Sequence, residues 1–355
     1  MGWPMPNAVV VGSALAAVVA AGAIAVLRRL APRLPADVPN LRSLHDLPVP
    51  RAGGYAIWAG FLPVAFLFPP PFPGGLAGWM PAWAALFAVS AQDDRNGVAV
   101  GTRLAVHAGA AVWTAAWLAH GTAFGGGTEM TVIYVAGCTL ALAWSANLFN
   151  FMDGSDGLAA AMGIIGFVAY GLAAMLGGSA AGAVAGSRAS PAGAAPALLA
   201  LAAAIVPFFA VNRPRASMFL GDAGAVPMGF LAAAFGIEGV ASGRWPWWFP
   251  PLVFLPFVAD ATLTLLGRVG RGGRPWEAHR SHYYQRLHRL GAGHAGTLAA
   301  YAAAMIGAAG SALACLAFAP AAGAWALALW CVVVIMLFAA IDYHWRKSAP
   351  PPTPR

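Results

Sequence analysis

"MTVIYVAGCTLALAWSANLFNFMDGSDGLAAAMGIIGFVAYGLAAML", Met130 to Leu176, is an apolar run, a polar break and a second apolar run. The hydrocarbon core of a bilayer takes about 20 apolar residues of helix to cross. The runs at 130–149 and 158–177 each meet that length, so the stretch predicts two membrane helices joined by the turn at Asn147–Ala159, "NLFNFMDGSDGLA". Two asparagines, two aspartates three residues apart and two glycines crowd into this turn. The whole chain has only 12 acidic residues among 355.

The rest of the chain reads the same way. Hydrophobic residues make up 60% and charged residues 9%, against about 25% charged in a soluble domain. The sequence predicts an all-α polytopic membrane protein and a single integral membrane domain over 1–355. Eleven apolar stretches qualify: 8–27, 54–71, 76–92, 104–121, 130–149, 158–177, 195–212, 223–241, 247–267, 297–317 and 322–342. "FPPPFPGG" (Phe68–Gly75) is the turn-like break between the second and third. The first apolar run has no basic region before it, which predicts a retained span and not a cleaved signal. Cys138, Cys315 and Cys331 lie in apolar runs without metal-ligand or redox spacing and are read as packing residues.

The net charge of +8 comes from 20 Lys and Arg residues. With no soluble basic domain, nucleic acid is excluded; anionic lipid, phosphate-bearing substrates and topology signals fit better. If alternate loops share a side, one side carries eighteen of the twenty basic residues and the other only Arg188 and Arg244. The positive-inside rule then places the N-terminus outside, with the C-terminus and five loops in the cytoplasm, near 31–53, 93–103, 147–158, 212–222 and 268–296, plus the tail 343–355. Most carboxylates fall on the same side, although acids contribute little to topology. Asp260 lies within the ninth apolar stretch.

Each loop carries a compact polar motif. In "NLFNFMDGSDGLA", helical spacing would put Asp153 and Asp156 on one face, and carboxylates with nearby amide oxygens suit a hard cation such as Mg²⁺. A polar turn uses the same residue types. "QDDRNGVAVGTR" (Gln92–Arg103) sets Asp93 beside Asp94, and adjacent like charges call for a cation or donors; an ordinary helix end is the plainer reading. In "FLGDAG" (Phe219–Gly224), Asp222 is either a helix cap or a metal ligand, and Phe219 a base-stacking ring or a membrane anchor. In "HDLPVPRAGG" (His45–Gly54), Arg51 sits in a proline-stiffened loop that suits phosphate or serves as a topology charge. "RPWEAHRSHYYQRLHRLGAGH" (Arg274–His294) has four histidines with arginines interleaved and no cysteine. That pattern favours a diphosphate-binding set over zinc; a membrane-surface helix is the plainer alternative.

Taken in this order on these loops, "HDLPVPRAGG", "DDRNG", "NLFNFMDGSDGLA", "FLGDAG" and "HRSHYYQRL" resemble the polyprenyl-phosphate N-acetylhexosamine-1-phosphate transferases, over nearly the whole chain. The resemblance implies transfer of a sugar 1-phosphate from a UDP-N-acetylhexosamine to undecaprenyl phosphate, with release of UMP. It implies Mg²⁺, with Mn²⁺ as the alternative ion. It makes Asn150 and Asp222 metal ligands, and Asp93 and Asp94 the catalytic pair near the lipid phosphate. Arg51, Asn147, Asp153, Asp156, Phe219, His279, Arg280 and His282 become substrate-binding residues. The peptidoglycan branch of the family has consecutive histidines where this chain reads "HRSHYYQRL", which points to initiation of a surface polysaccharide such as an O-antigen. The implied setting is the bacterial inner membrane with the site on the cytoplasmic face; a homodimer is the implied assembly to test. Two rivals fit less well. A CDP-alcohol phosphotransferase needs an arginine and further aspartates after "DGLA", where this chain has "AAMG". A transporter with an acidic cytoplasmic-side site would carry charges at mid-membrane on several spans.

Overall fold

The computed structural model describes residues 5–37, 48–121, 127–176, 191–273 and 281–348. Each of the eleven apolar stretches falls on helix. The helices are α1 (Met5–Leu30), α2 (Gly53–Leu67), α3 (Met80–Asn96), α4 (Val100–Gly121), α5 (Gly127–Met152), α6 (Leu158–Leu176), α7 (Ala195–Asn212) and α8 (Asp222–Ala241). They continue with α9 (Phe249–Val253), α10 (Leu255–Val269), α11 (Tyr283–Leu287), α12 (Gly293–Phe318) and α13 (Gly323–Ser348). The ninth stretch is divided into α9 and α10 at Phe254, just before Pro256. Proline removes an amide donor and clashes with the preceding turn, so it is favoured at a helix start. Among the described residues, seven stretches, containing α1, α5, α6, α7, α8, α12 and α13, are long and apolar enough to cross a membrane.

Helix α8 is the axis of the bundle, with residues buried on all sides. Lipid supplies no hydrophobic drive between helices, so close approach rests on small residues and interhelical hydrogen bonds. A β-carbon on Gly229 would stand 2.2 Å from the Ser145 carbonyl oxygen of α5, and Ser145 Oγ donates to the Gly229 carbonyl at 2.7 Å. A β-carbon on Gly54 of α2 would stand 2.5 Å from Gly224 Cα. The perimeter is apolar: Val10 and Val18 of α1, Leu140 of α5, and Leu329 and Met336 of α13 are exposed, the expected surface of a helix that faces acyl chains.

Beside the helices, the described residues form one small sheet, in which β1 (Ala36–Asp37) pairs antiparallel with β2 (Val49–Pro50). It continues through a single parallel bridge between Arg51 and Phe219. Phe219 N–H donates to the Pro50 carbonyl at 2.8 Å, Gly53 N–H to the Phe219 carbonyl at 2.9 Å, and Gly54 N–H to the Leu220 carbonyl at 2.9 Å. The "RAGG" and "FLGDAG" motifs are thus laced together by backbone. The Gly53–Gly54 pair is needed for this approach: a β-carbon on Gly53 would meet the Phe208 ring at 2.1 Å.

Candidate active site

The site is built where α8 begins. The first N–H groups of a helix have no intrahelical acceptor and carry partial positive charge. Here they are satisfied from another helix. Asp94, near the end of α3, accepts from Asp222 N–H at 3.1 Å and from Ala223 N–H at 3.0 Å. Asp222 itself is not the cap. Gly221 precedes it at φ 74, ψ 165, a region essentially restricted to glycine, and a β-carbon there would stand 2.8 Å from Asp94 Oδ2. The glycine and aspartate of "GD" therefore have separate tasks: Gly221 admits Asp94, and Asp94 fixes the start of α8 from which the Asp222 carboxylate projects.

Around Asp222 the other motifs converge. Asn150 Nδ2, at the end of α5, donates to Asp222 Oδ2 at 3.3 Å. Arg103 of α4 lies 3.5 Å from the same oxygen and also pairs with Asp93. The Asp93 carboxylate accepts from Val98 N–H at 2.6 Å and meets the Asp222 carboxylate. Arg51 pairs with Asp37 at 2.8 Å and stands 3.9 Å from Asp94. Burial works against the Arg51 charge, but Asp37, Asp222 and Asp94 outweigh it and hold its pKa above the ordinary value.

Asp153 is half-buried beside this group. Desolvation is the largest cause that pushes its carboxyl well above the usual range; Asp222 and Asp94 push the same way and Arg51 opposes. Asp93, Asp94, Asp153 and Asp222 outnumber Arg51 and Arg103 by two charges, and Asp37 draws on Arg51 as well. A buried excess of this kind calls for protons or a cation.

The donors also indicate which residues could hold one. Both Asp94 oxygens are engaged by backbone amides, and Asp93 is engaged by Val98 and Arg103. Asp222 is held only by side chains, at 3.3 Å from Asn150 and 3.5 Å from Arg103 and beside Asp93, and with Asp153 and the Asn150 amide oxygen it makes the available donor set. Among the described residues no three His, Cys, Asp or Glu side chains form a metal-binding group. Two carboxylates and an amide oxygen are hard oxygen donors of the kind that hold Mg²⁺, which is usually bound through one or two carboxylates together with waters and substrate phosphates.

The structure places the other expected residues apart from this centre. The Asp156 Oδ2 accepts from Arg215 N–H at 3.0 Å and Ala216 N–H at 3.1 Å. Its Oδ1 lies 3.7 Å from His294 Nδ1. Asp156 thereby ties down the loop ahead of "FLGDAG", in which Arg215 adopts φ 69. Asn212 completes that tie, accepting from Gly157 N–H at 3.0 Å and donating to the Met218 carbonyl at 3.0 Å. The Asn147 side chain turns back to the Ala143 carbonyl at 2.7 Å and bonds His107, one turn deeper than Asn150. Phe219 is half-buried, its backbone in the bridge to Arg51. His282 packs in a separate cluster against Asp260 at 3.1 Å. His279 and Arg280 lie outside the described residues.

Arg103, Asn212, His294 and Asp260 are the participants that motif reading did not select. Arg103 had a signal, a basic residue ten positions after Asp93 across a short turn. Asp260 had a stronger one, a lone carboxylate in an apolar helix.

An acidic centre that includes Arg51 and Arg103 thus lies at one end of an apolar helical bundle. Residues 76–240 match the family model described as glycosyl transferase family 4, and this match, with the relatives that follow, supports a sugar-phosphate transferase enzyme. It is 28% identical over 324 residues to a decaprenyl-phosphate N-acetylglucosaminephosphotransferase of Mycobacterium tuberculosis, covering 82% of this chain and 78% of the relative. It is 28% identical over 269 residues to an undecaprenyl-phosphate alpha-N-acetylglucosaminyl 1-phosphate transferase of Yersinia pestis, covering 72% and 70%. The Escherichia coli protein of the same name is 26% identical over 277 residues, covering 72% and 69%.

Proposed function

We propose that the protein transfers an N-acetylhexosamine 1-phosphate from a UDP-sugar to undecaprenyl phosphate, with release of UMP, as the first step of a surface polysaccharide such as an O-antigen. The observation that carries this reading is the convergence of Asp222, Asn150, Asp153, Asp93 and Arg103, from three separate sequence motifs, on the N-terminus of α8. The names of the relatives support the acceptor and donor classes.

In this reading the site works through position and charge. A phosphate monoester is already a nucleophile, so alignment and neutralisation of the diphosphate do most of the work of phosphoryl transfer. Asp222, Asp153 and Asn150 would hold Mg²⁺, which when bound neutralises the diphosphate and its developing charge. Asp94 orients Asp222 through the helix terminus. Arg103 holds Asp93 beside Asp222, where Asp93 faces the acceptor phosphate. Arg51 supplies positive charge on the opposite side, and Phe219 is the ring offered to uracil. Asp156 shapes the nucleotide side by fixing the 213–217 loop.

The charge asymmetry supports eleven crossings, an outside N-terminus and a cytoplasmic site in a bacterial inner membrane, where a soluble nucleotide-sugar and the lipid phosphate meet. The deciding experiment incubates purified protein with undecaprenyl phosphate, Mg²⁺ and a panel of UDP-sugars, followed by mass spectrometry of the lipid. A lipid diphosphate carrying one N-acetylhexosamine, with stoichiometric UMP, is expected. No lipid product from any UDP-sugar would refute the reading.

A further inference from the structure

Asp260 belongs to none of the motifs above, yet its carboxylate is fully buried and more heavily bonded than any at the site. Oδ1 accepts from Thr264 Oγ1 at 3.2 Å, from His282 Nδ1 at 3.1 Å and from Tyr283 N–H at 3.0 Å. Oδ2 accepts from Tyr284 N–H at 3.0 Å and from the Tyr301 hydroxyl. Five donors fill the roughly four lone-pair positions of a carboxylate, and they come from α10, α11, α12 and His282. Burial of an isolated carboxylate is prohibitive, and a fully bonded one rigidifies what it bonds.

The donors are also directional. His282 Nδ1 faces Asp260 Oδ1, so the carboxylate fixes the orientation of the imidazole ring. The His282 ring lies against Phe151, centroids 6.0 Å apart, and against Tyr284 at 5.7 Å. Tyr284 carries the link onward: its hydroxyl donates to the Phe151 carbonyl at 3.1 Å, and a β-carbon on Gly154 would stand 2.1 Å from that hydroxyl. Asp153 lies between Phe151 and Gly154 in sequence. One buried carboxylate therefore sets the orientation of His282 and seats the turn that holds Asp153.

We propose that Asp260 is a positioning residue of the transferase, acting through His282 and Tyr284, both set against Phe151, on the turn that carries Asp153. The inference rests on the transferase reading, and wild-type turnover tests that reading separately. The test is a double-mutant cycle of Asp260→Asn and His282→Gln, with kcat and KM measured per folded molecule and Tm recorded for each. Each single substitution is expected to lower kcat/KM on the order of 10-fold to 100-fold, as the loss of a partner that orients a functional histidine does. The double variant should fall no further than the lower single variant, because the two residues act as a unit. Multiplied losses, a loss that follows only the folded fraction, or a His282→Gln variant with wild-type kinetics would overturn the proposal. Should Asp260→Asn fail to fold, Tyr301→Phe removes one donor and keeps the carboxylate. Its loss in kcat/KM should be smaller in the His282→Gln background than in the wild type, and an undiminished loss would overturn the proposal equally.

Discussion

Asp153 shows how much one residue's surroundings matter. In sequence it is the twin of Asp156, three positions along the same turn. In space Asp156 is occupied by backbone amides of the 213–217 loop, whereas Asp153 stands within the electrostatic reach of Asp222 and Asp94. Its carboxyl is therefore pushed upward, first by burial and then by those neighbours. A carboxyl with a raised folded-state pKa favours folding at low pH and loses that contribution as pH rises through the folded value. In metal-free protein, Asp153→Asn is accordingly expected to raise Tm at pH 8, and the gain should disappear as pH falls toward 4. A thermal melt in chelator across that range measures it. Asp222→Ala removes the carboxylate on which the site converges. It is expected to lower UMP release about 100-fold to 1,000-fold, the order of loss for one principal electrostatic contributor, with Tm retained. Near-normal turnover would remove Asp222 from the metal site.

At the scale of elements, the functional unit is the start of α8 with what is plugged into it. Asp94 from α3 supplies the cap, β2 and the start of α2 supply a backbone seam, and α5 brings Asn150. Gly221 makes the cap possible. Gly221→Ala places a β-carbon where Asp94 stands and forces a backbone conformation that costs about 1–3 kcal/mol. A lower Tm and loss of activity together are the expected outcome, measured by melting and UMP release. The seam also accounts for a pair of residues that motif reading could only note. Gly53 and Gly54 were visible next to Arg51, but the reason for them, the approach of α2 to Phe208 and Gly224, exists only after folding.

For the whole molecule, the charges decide orientation and the helices decide where the polar loops collect. If Mg²⁺ completes the site, EDTA should stop turnover and added Mg²⁺ should restore it, read as UMP release; chelator-insensitive turnover would refute the metal scheme. Orientation is open to labelling. In a background without Cys138, Cys315 and Cys331, Ser217→Cys should react with an impermeant maleimide only in inside-out vesicles, and Ala241→Cys only in right-side-out ones.

By itself the sequence determined the helical class, the positions of the apolar stretches and the loops that bear chemistry, because each depends on local composition and on the absence of water in a bilayer. It also made Asp222, Asn150, Asp93 and Asp94 legible as one group, through the short motifs that carry them. Tertiary structure alone decided which oxygens are engaged and which remain. Asp94 became a cap, Asp156 a loop anchor and Asp260 a hub because their partners lie 129, 59 and up to 41 residues away. A carboxylate's task is set by the donors that reach it, and packing at such separations chooses those donors after the helices have formed.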